Sequence, residues 1–314
     1  MKTKRLKNLR KDFTTLADAT RSELEAWFEL ALKLKKEARS GKNRLLLAGK
    51  TLAMIFQKSS TRTRVSFEIA MRQLGGGGLY LSGSELQLGR GETIADTARV
   101  LSRYVDGIMA RVYSHQDILD LARHAAVPVI NGLSDFSHPC QAVADYLTIL
   151  ERKRRLAGLS LTYVGDGNNV AHSLLYGGAK LGVSVTIVCP PGYEPQRAVV
   201  EAAAADGRKT GAQILVTREP AAVKGADIVY TDVWASMGQE KEHAERVRVF
   251  APYQVNARLM AMTGKPDTLF MHCLPAHRGE EVTDEVVDGA NSVVLDEAEN
   301  RLHAQKAILV SLMA

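Results

Sequence analysis

The sequence predicts an α/β protein made of two doubly wound parallel-sheet domains joined by interdomain helices. Three observations predict it. Short apolar runs alternate with stretches of helical periodicity, and apolar strands separated by helices imply a parallel sheet covered on both faces. The alternation gives way to one long helical stretch near residues 140–156 and then begins again. At 314 residues the chain is long enough for two domains, at roughly 100–200 residues each.

The elements follow in chain order. Thr20 and Glu23 make a capping box, and Leu24, Trp27, Phe28, Ala31 and Leu34 recur behind it at helical spacing. Thr51–Phe56 reads as a buried strand and Arg62–Leu74 as a helix. Gly75 to Gly78 end that helix ahead of Leu79–Leu81. Helices are expected at Ile94–Tyr104 and His115–His124, strands at Gly107–Val112 and Val127–Ile130, and the long helix at Cys140–Leu156. The second half supplies strand Leu159–Val164, helix Asn169–Leu181 and strand Val183–Cys189. Further strands are expected at Ile214–Val216, Asp227–Tyr230, Thr268–His272 and Val293–Asp296, with a closing helix over Arg301–Leu312. The expected domains are 1–148 and 149–300, with the helix 301–314 packing back on the first.

Composition narrows the function classes. Apolar residues are 46% and charged residues 24%, which excludes a disordered or collagenous chain. No run approaches about 18 uninterrupted apolar residues, so no membrane span is expected. The net charge is +6, from 41 basic and 35 acidic residues. The basic cluster at Lys2, Lys4, Arg5, Lys7, Arg10 and Lys11 lacks interleaved aromatics and reads as a solvated terminus, not a nucleic-acid surface. Cys140, Cys189 and Cys273 are far apart and show no metal-ligand spacing. With no signal-peptide pattern, they suit a reducing, cytoplasmic compartment.

Chemistry concentrates in a few segments. Ser59-Ser-Thr-Arg-Thr-Arg64 lies between a strand and a helix. Helix N-termini present unpaired N–H groups and a positive dipole end, and arginine adds a fork suited to phosphate. A cap with surface arginines is the plain alternative, but four hydroxyls and two arginines in six residues exceed what capping needs. A Walker loop is excluded, because its glycines and Gly-Lys-Ser/Thr ending are missing. Gly165-Asp-Gly-Asn-Asn169 follows a strand and opens a helix. It fails the dinucleotide fingerprint, since Val170 stands at the third glycine position. Taken alone, His138 is a residue at a capped helix start, Arg111 a surface residue after a strand, Asp232 a turn or cap, and Cys273 packing.

Together, Phe56-Gln-Lys-Ser-Ser-Thr-Arg-Thr-Arg-Val-Ser-Phe-Glu68, His138-Pro-Cys-Gln141, Asp232-Val-Trp-Ala-Ser-Met-Gly238 and His272-Cys-Leu-Pro275 resemble the motifs of the aspartate/ornithine carbamoyltransferase family. The resemblance runs from about Phe13 to the C-terminus. It implies a carbamoyl-phosphate-binding domain, 1–148, and an ornithine-binding domain, 149–300. It assigns carbamoyl phosphate to Ser60, Thr61, Arg62, Thr63, Gln87, Arg111, His138, Gln141, Cys273, Leu274 and Arg301. It assigns ornithine to Asn169, Asp232, Ser236 and Met237. Gln87 belongs to a loop that in the family reaches a neighbouring subunit's site. His-Cys-Leu-Pro, in place of His-Pro-Leu-Pro, and Ser-Met-Gly point to the ornithine branch.

The implied reaction moves the carbamoyl group of carbamoyl phosphate to the δ-amine of L-ornithine, giving L-citrulline and phosphate in arginine metabolism. Cys273, Asp232, Arg111 and His138 are the expected catalytic groups. No metal or organic cofactor is expected, because carbamoyl phosphate is itself the activated reagent. The expected partners are the two substrates and further copies of the chain, as a trimer or a multiple of trimers. Neither nucleic acid nor membrane is expected. The nearest rival is a putrescine or related transcarbamylase. A non-catalytic protein on the same fold is a second rival, which loss of a motif arginine or of Cys273 would have favoured.

Overall fold

The computed structural model describes residues 12–83, 91–235 and 242–314. The chain divides into two compact units, 1–140 with 301–314, and 141–300. It crosses from one to the other inside two long helices, Pro139–Lys153 (α5) and Val294–Met313 (α11). The expected boundary at 148/149 therefore differs from the division at 140/141 by eight residues of the same helix.

In the first unit, α1 spans Arg21–Arg39 and carries the expected capping box, Thr20 with Glu23. The sheet is all parallel, with strands Thr51–Phe56 (β1), Gly77–Ser82 (β2), Gly107–Arg111 (β3) and Val129–Leu133 (β4) in the order β2-β1-β3-β4. Thr61–Gln73 (α2), Ile94–Leu101 (α3) and His115–His124 (α4) make the crossovers. β1, β3 and most of β4 are buried, which is why they read as apolar runs without alternation. The glycines after α2 do more than break the chain. Gly77 and Gly78 are part of β2, and a side chain on Gly78 would stand 3.1 Å from Met54 Cε. The last part of α11 belongs to this unit, where Lys306 donates to Gln73 Oε1 at 3.0 Å.

The second unit has five parallel strands, Ser160–Val164 (β5), Ser184–Val188 (β6), Ile214–Thr217 (β7), Ile228–Thr231 (β8) and Leu269–His272 (β9). Their order is β7-β6-β5-β8-β9. Asn169–Leu181 (α6) and Arg197–Thr210 (α7) join the first three. His243–Phe250 (α8), Ala257–Met262 (α9) and the short Asp284–Val287 (α10) complete the unit. One expected strand is not one. Val293–Asp296 is the start of α11, and only Ser292 bridges to Phe270 beside β9. The apolar run Val293-Val-Leu295 is strand-like, but Asp296 and Glu297 follow it in the helix's first turn, where carboxylates suit the positive end of the dipole.

Both sheets have the reversal of strand order that creates a crevice at the carboxyl edge. In the first unit it lies between β1 and β3, and in the second between β5 and β8. Among the described residues no helix is long and apolar enough to cross a membrane.

Candidate active site

In the first unit, the residues that follow β1, β3 and β4 come together at that crevice. Ser60 caps α2, its Oγ accepting from the Thr63 N–H at 3.2 Å. Thr63 is buried, and its Oγ1 accepts from Ser60 Oγ and from Arg301 Nη2, each at 3.2 Å. Two donors occupy the Thr63 oxygen, so its own proton is directed elsewhere. Thr61 is exposed and Arg62 partly so, at the open end of α2.

Arg111 ends β3 and is buried. Gln57 braces this corner. Its N–H donates to Arg111 O at 2.9 Å, its Oε1 accepts from the Tyr113 N–H at 2.9 Å, and its Nε2 donates to Asp117 at 3.0 Å. His138 follows a tight turn in which Ser134 N–H donates to Ser137 O at 3.0 Å and Asn131 Nδ2 donates to Ser134 Oγ at 3.2 Å. His138 is buried, and burial together with the Arg301, Arg111 and Arg62 guanidiniums holds its imidazole well below the usual histidine range. At neutral pH it is an uncharged hydrogen-bonding group among three cations. The charges at positions 62, 111 and 301 thus all act on His138.

In the second unit the groups gather at the β5/β8 reversal. Gly165–Asn168 turns the chain from β5 into α6. A Cβ on Gly167 would lie 2.2 Å from Pro195 N, so only glycine fits there. Asn168 caps α6, its Oδ1 accepting from the Val170 and Ala171 N–H groups at 2.9 and 3.2 Å. Its Nδ2 donates to Asp232 Oδ2 at 2.9 Å. The other Asp232 oxygen accepts from the Val233 N–H at 2.8 Å and from the Cys273 thiol at 3.0 Å. Burial, then the adjacent Asp232, pushes the Cys273 thiol well above its ordinary range, so it is protonated at neutral pH.

Several supporting residues escaped the sequence reading. Arg246 of α8 is buried and donates to Asp166 Oδ2 at 2.9 Å and Trp234 O at 2.8 Å, which gives Asp166 a structural task. His272 Nδ1 accepts from the Leu274 N–H at 2.8 Å, and its Nε2 faces Glu281 Oε1 at 3.1 Å. That pairing makes Nε2 the protonated nitrogen. It also clamps Leu274, whose φ of +57° is a strained backbone setting for a residue with a side chain. Glu297 accepts from Gln141, Tyr230 and the His272 N–H at 2.9, 3.0 and 3.0 Å. No local signal marks Arg246 or Glu297 for these tasks, since Asp166, Gln141 and Tyr230 are remote from them in sequence.

Asn169 is the first residue of α6, beside Asn168, and its carbonyl accepts from Ser173 Oγ at 2.9 Å. Gln87, Ser236, Met237 and the basic cluster at residues 2–11 lie outside the described residues. Among the described residues, two groups of possible metal ligands each have ligand atoms within 4.8 Å of one another, Asp232 with His272 and Cys273, and His243 with His277 and Glu280. In the first, both His272 nitrogens are already engaged, so the set offers no free imidazole lone pair.

Two family models match the chain. "Aspartate/ornithine carbamoyltransferase, carbamoyl-P binding domain" covers residues 11–151, and "Aspartate/ornithine carbamoyltransferase, Asp/Orn binding domain" covers 157–312. Among curated relatives, the ornithine carbamoyltransferase of Thermococcus kodakarensis is 61% identical over 304 residues, 96% of each chain. The anabolic ornithine carbamoyltransferase of Pyrococcus furiosus is 60% identical over 304 residues, again 96% of each. A solved Pyrococcus furiosus ornithine carbamoyltransferase superposes with a TM-score of 0.94 at 60% identity, covering 96% of this chain and 97% of that one. The Gloeobacter violaceus ornithine carbamoyltransferase gives a TM-score of 0.88 at 47% identity, covering 98% and 100%.

Proposed function

We infer the reaction from one premise: the chain belongs to the aspartate/ornithine carbamoyltransferase family. It transfers the carbamoyl group of carbamoyl phosphate to the δ-amine of L-ornithine, giving L-citrulline and phosphate. The observation that carries this reading is the Asn168–Asp232–Cys273 cluster. It places an oriented carboxylate and a neutral thiol at the carboxyl edge of the sheet in the unit that matches the Asp/Orn-binding model.

The amine must attack uncharged. An alkyl amine has a pKa near 10.4, so at pH 7 only about one molecule in several thousand is neutral. Asp232 draws the ammonium in and accepts the proton. Cys273 cannot begin as a thiolate, because its own proton points at Asp232. It packs beside the nitrogen and links it to the carboxylate. Asn169, Ser236 and Met237 hold the amino-acid end, which a diamine lacks.

On the first unit, Ser60, Thr61, Arg62 and Thr63 hold the phosphate, with Arg301 and a neighbouring subunit's Gln87. Attack builds negative charge on the carbonyl oxygen. The Thr63 hydroxyl, the Arg111 fork and the neutral His138 supply donors toward it. On the second unit, Gln141, Cys273 and Leu274 receive the carbamoyl group. Carbamoyl phosphate brings its own activation, so the reaction as drawn uses side chains and backbone alone.

We also propose a cytoplasmic enzyme of arginine biosynthesis, assembled as a homotrimer or a multiple of one. The biosynthetic direction follows the anabolic Pyrococcus furiosus relative. Seven of the ten large exposed apolar side chains among the described residues belong to the first unit, Val65, Leu79 and Tyr104 among them, which favours assembly through that unit. Light scattering tests the mass. The reaction is tested by citrulline formation from carbamoyl phosphate and L-ornithine, run beside putrescine, L-lysine, L-aspartate and N-acetylornithine. Ornithine-only activity is expected. A preference for putrescine would overturn the roles given to Asp232 and the Ser236–Met237 segment.

A further inference from the structure

We propose that His243, His277 and Glu280 bind a divalent transition-metal ion of the zinc class, which ties the start of α8 to the loop after β9. The site lies apart from the groups assigned to carbamoyl transfer, and the inference does not depend on that reading.

His243 is the first residue of α8, and His277 and Glu280 stand in the loop after β9. Glu280 Oε2 lies 3.1 Å from His243 Nε2 and 3.8 Å from His277 Nδ1. The three ligand atoms all fall within 4.8 Å of one another. A tetrahedral ion with bonds of about 2.0–2.2 Å sets its ligand atoms about 3.4 Å apart. Small side-chain rotations therefore close this triangle on one ion. The His243, His277 and Glu280 side chains are 44%, 44% and 30% exposed, so they are free to turn and an ion can reach them. Two imidazoles and one carboxylate suit zinc and its neighbours, whereas calcium and magnesium take oxygen ligands. Three protein ligands leave the fourth position to water.

The plain alternative is an ion pair between Glu280 and a protonated histidine. An ion pair needs one histidine, but here two, from different elements, face the same carboxylate oxygen. Among the described residues neither imidazole has another side-chain partner. The Asp232, His272 and Cys273 group differs, since both nitrogens of His272 are engaged. The nearest cation in sequence does not compete. Arg278 donates to Asp284 at 2.7 Å and to Asp288 at 2.6 Å.

The backbone under the ligands is held. The His277 N–H donates to Glu281 Oε1 at 2.5 Å, the Glu280 N–H to His277 O at 2.9 Å, and Gln254 Nε2 to Glu280 O at 2.8 Å. Across the site, α8 is anchored by buried Phe250 and by the Arg246 bond to Asp166. Fixed supports of this kind let binding cost little beyond side-chain freedom. On binding, His243 Nε2 turns its lone pair to the ion and the ring carries its proton on Nδ1.

The test titrates metal-free protein with Zn2+ at pH 7.5 by calorimetry and follows the melting temperature with and without the ion. One zinc per chain and a raised melting temperature are expected. His243→Ala and His277→Ala should each weaken binding about tenfold or more and lose most of the rise. Glu280→Gln keeps an oxygen for the histidine N–H but loses the charge, and it should weaken binding too. Melting temperatures without zinc should stay near wild type, since these are surface positions. Cys273→Ser should keep both the binding and the rise. Bound Co2+ should show d–d bands without a sulfur-to-cobalt charge-transfer band. No zinc-dependent rise in wild type, or binding that survives both histidine variants, would overturn the proposal. So would binding lost in Cys273→Ser or a charge-transfer band with Co2+, because either would put the ion at the other group.

Discussion

Cys273 has a carboxylate for a neighbour, and a carboxylate opposes a thiolate. The 3.0 Å bond to Asp232 and the upward push on the thiol keep Cys273 protonated, so it does not start as an ionised base. Cys273→Ala should lower kcat about a hundredfold while the inhibition constant of phosphate stays within about twofold, as steady-state kinetics would show. Unchanged turnover would reduce Cys273 to packing. Arg62→Ala removes a guanidinium from the open end of α2 and should lower kcat/KM for carbamoyl phosphate at least a hundredfold. Near-normal kinetics would sink the phosphate role of that turn. These candidate groups could be named from the sequence because polar side chains crowd into short windows, as at Ser59–Arg64. Asn168 was not legible as the partner of Asp232, 64 positions away, nor Glu297 as the partner of Gln141, 156 positions away. A side chain's donor count can be read from its type, but which remote acceptor meets it is decided by the fold.

Elements were legible to the extent that one force governed them. The capping box of α1, the limits of α4 and α6, and the buried β1 follow from local pattern. The start of α11 was misread because β-branched Val293 and Val294 suggest a strand while the acids behind them favour a helix end. The α6 turn shows one side chain serving two partners. Asn168 caps the helix with its oxygen and orients Asp232 with its nitrogen, so one amide does both jobs. Asn168→Ala should cost about 1 kcal/mol from the lost cap, a fall of about 2–4 °C in melting temperature. It should also raise the KM for L-ornithine several-fold. Asn168→Asp separates the two effects, because it keeps the cap and sets a second carboxylate against Asp232. Its melting temperature should regain the cap's share but not the cost of the like-charge contact, and the KM should not recover. A KM that recovers together with the melting temperature would show that Asp232 needs no partner there.

At the scale of the whole molecule, alternation of strands and helices foretold two parallel sheets, but not the orders β2-β1-β3-β4 and β7-β6-β5-β8-β9. A right-handed crossover can leave a strand toward either side, so handedness alone does not choose the reversal point. Both reversals fall where the candidate groups gather, and that placement has a consequence for stability. His138 and His115 both titrate below the usual histidine range in the fold, His138 through burial and three arginines and His115 through burial. In the unfolded chain each takes a proton near pH 6.5, while in the fold they stay neutral to lower pH. The unfolded state then binds more protons, so stability rises with pH through this window. Their contribution is complete above about pH 6.5 and is lost as pH falls toward the folded values. The slope approaches about 1.4 kcal/mol per pH unit for each group fully held neutral. Urea unfolding between pH 7.5 and 5.5 should therefore show falling stability. His138→Asn cannot titrate, so it should flatten that fall by close to one proton, leaving the smaller share of the half-buried His115. An identical slope in wild type and His138→Asn would mean that His138 takes up its proton in the fold as readily as in water, and would remove the reason for treating it as a neutral donor to the carbamoyl oxygen.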